Sequence, residues 1–209
     1  YNSIQIKSIL KLYQNSVVLS KGLQSHLTTS LACRNTPHHL IRHLQDLISD
    51  RYRGSLYRIF NWVAYKNIDH IICDGETIQK RLGPISRLKS TVILNGIDTA
   101  ELKRKEKYRI RIRQEYNIQT DAFVIGHIGR ITPWKGQIKL LNAFIKYSKI
   151  NSDAYLLLVG SPLFDDDKYY QKIKEIISQY GLDERIIMPG YRSDLNAIFS
   201  AMDLFIYPS

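Results

Sequence analysis

Cysteine is scarce in this 209-residue chain: only Cys33 and Cys73 are present, with no CxxC pair and no histidine cluster nearby. A disulfide framework or a zinc centre needs more ligands than that, so both are excluded. The two thiols are expected reduced in cores, as in a cytoplasmic protein. No apolar run approaches the roughly 20 residues that a membrane-spanning helix needs. The longest, such as Tyr155–Val159, have the length of a strand. No secretory leader pattern is present, and residue 1 is Tyr1, not Met. Leu204–Ser209 reads as a strand with no element after it, so both ends are expected to be cuts through a fold.

Acidic residues are the other shortage, with 19 Asp+Glu against 30 Lys+Arg and a formal net charge of +11. Residues 1–100 hold 13 Lys+Arg against 6 Asp+Glu, and residues 101–209 hold 17 against 13. Such a balance suits nucleic acid, an anionic membrane surface or phosphorylated substrates, and does not choose among them. The 44% hydrophobic content is enough to bury a core, which excludes a disordered tail.

What is present is an alternation of short apolar runs with amphipathic stretches, the pattern of βαβ units and a parallel sheet. Strands are predicted at Ser16–Leu19, Leu40–His43, His70–Cys73, Thr91–Leu94, Phe123–Ile128, Tyr155–Val159, Ile186–Met188 and Leu204–Tyr207. Lys135–Ile150 carries Ile138, Leu141, Phe144, Ile145 and Tyr147 at spacings near three and four, which predicts a helix. Lys168–Tyr180 repeats the pattern, and Gly181 supplies its stop. Asp165, Asp166 and Asp167 read as caps for that helix and not as metal ligands. Asn95-Gly96 reads as a tight turn, with Asp98 as a local cap. The expected architecture is α/β, with two doubly wound parallel-sheet domains at residues 1–94 and 95–209.

The sharpest segment runs from Gly126 to Gly136. It follows an apolar strand and opens a helix, where phosphates bind. Glycines allow close backbone approach, and Arg130 and Lys135 can both face the helix N-terminus. The loop is not a Walker A sequence, because Gly136 follows Lys135, and it lacks GxGxxG spacing. The residues alone leave a phosphate site and a plain basic loop both open. His127 reads as a packed strand residue, and Trp134 either stacks on a ligand or pins the loop.

Gly129-Arg130 with Lys135-Gly136 resembles the "GR…KG" signature of family-4-type retaining glycosyltransferases, which have the GT-B fold. Val92–Asp98 resembles "V-I-x-N-G-I-D", Leu156–Gly160 resembles "L-x-L-V-G", Ile186–Asp194 resembles "I-x-F-x-G", and Ala201–Ser209 resembles "A-D-x-F-x-x-P-S". The resemblance covers nearly all of residues 69–209 and more weakly residues 16–50.

The resemblance implies two Rossmann-like domains, both incomplete here, and transfer of a sugar with retention from a nucleoside-diphosphate sugar to a glycan or lipid-linked acceptor. Arg130 and Lys135 would grip the donor diphosphate, with Gly129, Gly160, Gly190, Tyr191 and Asp194 near the nucleotide. No metal and no cofactor is expected beyond the donor itself. The alternative is that Ser193 or Asp194 simply caps the helix ending near Ala201. Arg42–Asp46 resembles "H-x-H-D", with Gln45 in place of the second histidine. His43, Gln45 and Asp46 are then substrate contacts, or else a strand-end core residue and a cap. Gln45 can hydrogen-bond a sugar hydroxyl but cannot move a proton at neutral pH.

The family's paired glutamates and its first glycine-rich loop are not in these residues, so little transferase activity is expected from the isolated piece. The basic Glu101–Arg113 segment is either a peripheral contact with the anionic inner face of a membrane or a solvated helix face. A nucleotide- or nucleic-acid-binding module and a sugar-nucleotide epimerase or phosphorylase of the same fold remain as alternatives. Nucleic acid is not expected, because the basic residues lack interleaved aromatics.

Overall fold

The computed structural model describes residues 2–45, 68–100, 102–162 and 167–208. The chain divides into two compact units, Tyr1–Ile97 and Asp98–Ser209.

The first unit begins with α1 (Ser3–Leu10), started by a reciprocal capping box in which the Asn2 side chain accepts from the Gln5 amide and the Gln5 side chain accepts from the Asn2 amide, both at 3.0 Å. Strand β1 (Val17–Lys21), α2 (Leu23–Ala32), β2 (His39–Leu44) and β3 (His70–Cys73) follow, then the short α3 (Glu76–Lys80) and α4 (Pro84–Leu88) and β4 (Ser90–Val92). The strands pair in parallel in the order β1-β2-β3-β4. Leu40, Leu44, Ile71 and Cys73 form the core with Leu10, Ala32 and Cys33. Both cysteines are free and buried, and burial raises both thiol pKa values.

The second unit runs α5 (Glu106–Glu115), β5 (Phe123–Ile128), a single 3-10 turn at Pro133–Lys135, α6 (Gln137–Tyr147), β6 (Ala154–Val159), α7 (Asp167–Gln179), β7 (Ile186–Gly190), α8 (Leu195–Ala201) and β8 (Leu204–Phe205). Its parallel sheet has the order β7-β6-β5-β8. The chain moves outward from β5 through β6 to β7, then returns to the other side of β5, so β5 and β8 flank a topological switch point. Side chains of successive strand residues point to opposite faces. Leu156 and Leu158 therefore pack with Leu141, Phe144, Ile173 and Ile177 from α6 and α7. Leu157 and Val159 pack on the other face with Ile112, Ala197, Ile198 and Ala201 from α5 and α8. Helices on both faces explain why β6 is an almost unbroken apolar run. Each fully buried side chain of this size contributes roughly 1.5–3 kcal/mol.

Three expectations differ from the structure. The helix predicted from Lys135 starts at Gln137, because Gly136 takes φ +74° and separates the Pro133–Lys135 turn from α6. Asn95-Gly96 is not a turn: the chain runs on without one until Thr99, and Gly96 is not among the glycines with positive φ. The Asn95 side chain is instead engaged by Asp74, whose Oδ2 accepts from its Nδ2 at 3.1 Å. β8 ends at Phe205, although the Ile206 amide still donates to the Gly126 carbonyl at 2.8 Å. Of the capping aspartates, Asp167 opens α7, while Asp165 and Asp166 lie outside the described residues.

Candidate functional site

In the second unit the ends of β5, β6 and β7 are cross-linked by backbone groups. The Gly129 amide donates to the Val159 carbonyl at 2.9 Å, the Gly160 amide to the Gly190 carbonyl at 2.9 Å, and the Ile131 amide to the Ser161 carbonyl at 3.1 Å. The approach is so close that a Cβ on Gly160, which has φ +140°, would stand 2.0 Å from the Gly129 carbonyl oxygen. Only glycine satisfies both the dihedral and the space.

Beyond these strand ends opens a cavity of about 550 Å³, walled by Gly129, Arg130, Gly160, Ser161, Tyr191 and Arg192, among others. This lies at the carboxyl edge of the sheet, where open α/β sheets bind ligands. Tyr191 presents a ring that is 78% exposed. The Arg130 side chain is exposed and makes no hydrogen bond or ion pair with the described residues, so a cation is held ready on the wall. Arg192 is different. Its guanidinium donates to both oxygens of Asp194 at 2.9 Å, to the Tyr116 hydroxyl at 2.6 Å and to the Glu115 carboxylate. These bonds hold the Asp194 and Glu115 carboxyls below the usual carboxylate range.

Lys135 leaves the same loop as Arg130 but is not on the cavity wall. Its stem passes 4.0 Å from where a Cβ on Gly129 would stand, and its ammonium donates to the Tyr207 hydroxyl and lies 4.7 Å from that ring's centroid. Tyr207 follows β8, so the lysine bridges the two sides of the switch point. Gly136 closes the loop against the same segment, because a Cβ there would be 3.0 Å from Pro208 Cγ.

Among the other residues singled out by sequence, Gly160 lines the cavity and Gly190 supports it through its carbonyl. Asp194 takes the N-cap position of α8 without capping it, and its carboxylate is occupied by Arg192 and by Arg111 at 2.8 Å. In the first unit, His43 Nε2 lies 2.5 Å from Asp74 Oδ1. That hydrogen bond is the main reason the Asp74 carboxyl titrates low, helped by Asn95 and Gln45. Asp74 carried no sequence signal of its own. Asp46 lies outside the described residues.

The basic segment before β5 serves the fold more than the surface. Arg113 is 2% exposed and donates to the carbonyls of Gln119, Thr120, Ala122 and Ala201. It also bonds Asp203 at 2.7 Å, and Arg109 bonds the same carboxylate at 2.8 Å. Asp203 in turn accepts from the Val124 amide at 2.9 Å, at the start of β5. Lys103, Lys105 and Lys107 remain exposed. Among the described residues there is no cluster of potential metal ligands, and no helix is long and apolar enough to cross a membrane.

Comparison with known proteins adds similarities to this geometry. Residues 109–209 match the family model Glycosyl transferases group 1. The chain is 31% identical over 125 residues to a lipopolysaccharide 1,2-N-acetylglucosaminetransferase of Salmonella typhimurium, covering 57% of this chain and 32% of that protein. It is 27% identical over 168 residues to the UDP-Gal:alpha-D-GlcNAc-diphosphoundecaprenol alpha-1,3-galactosyltransferase of Escherichia coli, covering 75% of this chain and 42% of that protein. The chain thus spans less than half the length of these curated relatives. Its fold superimposes on HepE of Anabaena, solved in complex with UDP, with a TM-score of 0.86 at 23% identity, covering 99% of this chain and 56% of that one.

Proposed function

Because residues 109–209 match the Glycosyl transferases group 1 model and the chain folds as two parallel-sheet units of the GT-B type, we propose that this chain is part of an enzyme that transfers a sugar, with retention, from a UDP-sugar to a glycan or lipid-linked acceptor in cell-surface polysaccharide synthesis. The observation that carries the reading is the glycine-walled cavity at the carboxyl edge of β5–β7 with the exposed Arg130 on its wall. The UDP bound to HepE and the UDP-linked donor and lipid-linked acceptor in the name of the Escherichia coli relative support the choice of ligands.

In this reading the nucleotide occupies the cavity beside Tyr191, and its diphosphate meets Arg130 and the ammonium of Lys135. When the bond between the anomeric carbon and the phosphate oxygen breaks, negative charge collects on the departing diphosphate. Two fixed cations stabilise that charge more than the neutral ground state of the bond, and a preorganised donor of this kind is worth about 3–4 kcal/mol of barrier. Tyr207 holds Lys135 ready at the switch point, so little side-chain freedom is lost on binding. In the first unit, His43 and Gln45 are the groups that would hydrogen-bond sugar hydroxyls. Lys103, Lys105 and Lys107 give a basic face for an anionic membrane, at about 1 kcal/mol each near the surface.

Titration calorimetry with UDP tests the reading. Saturable binding is expected, with Arg130→Ala and Lys135→Ala each weakening it by about tenfold or more, as loss of a charge-assisted hydrogen bond implies. Equal binding by wild type and both variants would sink it. Retention is checked separately, by the anomeric configuration of the product made by the whole enzyme.

A further inference from the structure

Behind the cavity lies a buried polar chain that catalysis as described does not use. Gln137, 1% exposed, places its Nε2 2.7 Å from the Arg130 carbonyl oxygen and 3.2 Å from His127 Nε2. A carbonyl only accepts, so the nearer group is the amide NH₂ and not the amide oxygen. The same nitrogen can then only donate to His127 Nε2, which must be the unprotonated ring nitrogen. The histidine proton therefore sits on Nδ1, which is 3.0 Å from the Ile206 carbonyl oxygen, again an acceptor. Every assignment follows from the two carbonyls.

The chain continues outward. The His127 ring stacks on Tyr207, with centroids 5.8 Å apart and planes at 27°, and Tyr207 holds the Lys135 ammonium. One end of the relay thus grips the backbone of Arg130 and the other the side chain of Lys135. Satisfying this arrangement leaves Gln137 Oε1 buried with no partner. An orphaned buried acceptor is a net cost in stability, so folding alone does not account for the residue.

We propose that Gln137, His127 and Tyr207 are positioning residues that fix the backbone of Arg130 and the ammonium of Lys135 on one loop, and so set a preference for a nucleoside diphosphate over the monophosphate. The inference rests on the nucleotide-binding reading above. UMP offers one phosphate to the two cations, whereas UDP offers two linked ones. Loosening the relay therefore weakens UDP and leaves UMP nearly unchanged, while a general loss of structure weakens both alike.

The experiment measures the dissociation constants of UDP and UMP for wild type, Gln137→Leu and Tyr207→Phe. The ratio of UMP to UDP constants is expected to fall by about tenfold in Gln137→Leu and about threefold in Tyr207→Phe, the range for one or two hydrogen bonds. Tyr207→Phe keeps the ring and sits at a half-exposed position, so it carries the test if Gln137→Leu does not fold. An unchanged ratio in a folded variant, or equal weakening of both ligands, overturns the relay while the nucleotide site stands. Failure of wild type to bind UDP overturns the site and the relay together.

Discussion

The two units solve the same folding problem with different sheet orders, and the difference locates their chemistry. In the first, β1-β2-β3-β4 run side by side in chain order; in the second, β7-β6-β5-β8 reverse direction beside β5. A reversal parts the flanking connections and leaves a crevice at the carboxyl edge. The crevice is walled by glycine backbone and by the exposed Arg130, which suits an anion. The strand ends of the first unit carry His43, Asp74 and Asn95 bonded to one another, which suits hydroxyl groups better than phosphate. Both units place polar residues at their strand ends, but in the second the exposed Arg130 lies on the wall of the cavity.

The largest expected effect tests how each unit uses a carboxylate. Asp203 partners the buried Arg113, and removing one member of a buried pair leaves the other uncompensated. Asp203→Ala is expected to destabilise the second unit by roughly 3–5 kcal/mol. Asp74→Ala should lower the unfolding midpoint of the first unit less, because it leaves behind a histidine that can be neutral and an exposed Asn95. Asp203→Ala instead strands a permanently charged Arg113 whose side chain is 3% exposed. Denaturant titrations followed by unit-resolved hydrogen exchange read both, and equal losses would dissolve the distinction.

A glycine exchange sharpens the same contrast. Gly160→Ala drives a Cβ into the Gly129 carbonyl and is expected to cost roughly 3 kcal/mol, with loss of UDP binding. Gly75→Ala in the first unit meets nothing within 4 Å, and its φ of −172° is ordinary extended backbone, so it should be nearly neutral. Thermal melts of the two variants decide between them.

The pH dependence is the most selective test. Burial, then the charges of Arg42 and His43, press the His26 pKa down to about 3. The folded ring stays neutral while the unfolded one gains a proton below its ordinary value of 6.5. The unfolded state then binds more protons, so this contribution is full above pH 6.5 and is lost as pH falls toward 3, by at most ~1.4 kcal/mol per pH unit. His127 in the second unit is lowered in the same sense by burial. His26→Gln should flatten the acid slope of the first unit's stability and leave that of the second unchanged. A slope unaltered in both would exclude His26 as its source.

Much of this architecture was legible from residue order. His70–Cys73 and Phe123–Ile128 were bounded as observed, because turn-forming or polar residues flank unbroken β-branched and apolar runs. Arg130 could be singled out by its place beside glycine in a strand-to-helix loop, and Gly160 by the resemblance of Leu156–Gly160 to a family motif. Asp74, Gln137 and Tyr207 could not. Each acts on a partner 10 to 72 residues away, and neither its type nor its neighbours mark it. Asn95-Gly96 misled for a related reason: a dipeptide favoured in turns was held extended by a bond to Asp74.

Local pattern by itself determined the alternation of strands and helices, the parallel sheets and the glycine-bearing loop after β5, since periodicity and glycine placement act over a few residues. Which carboxylate would hold Arg113, where the Lys135 ammonium would rest and which ring nitrogen of His127 would carry the proton were decided only when β8 paired with β5. Those outcomes depend on distances between groups far apart in the chain, and such distances exist only once the sheet has closed.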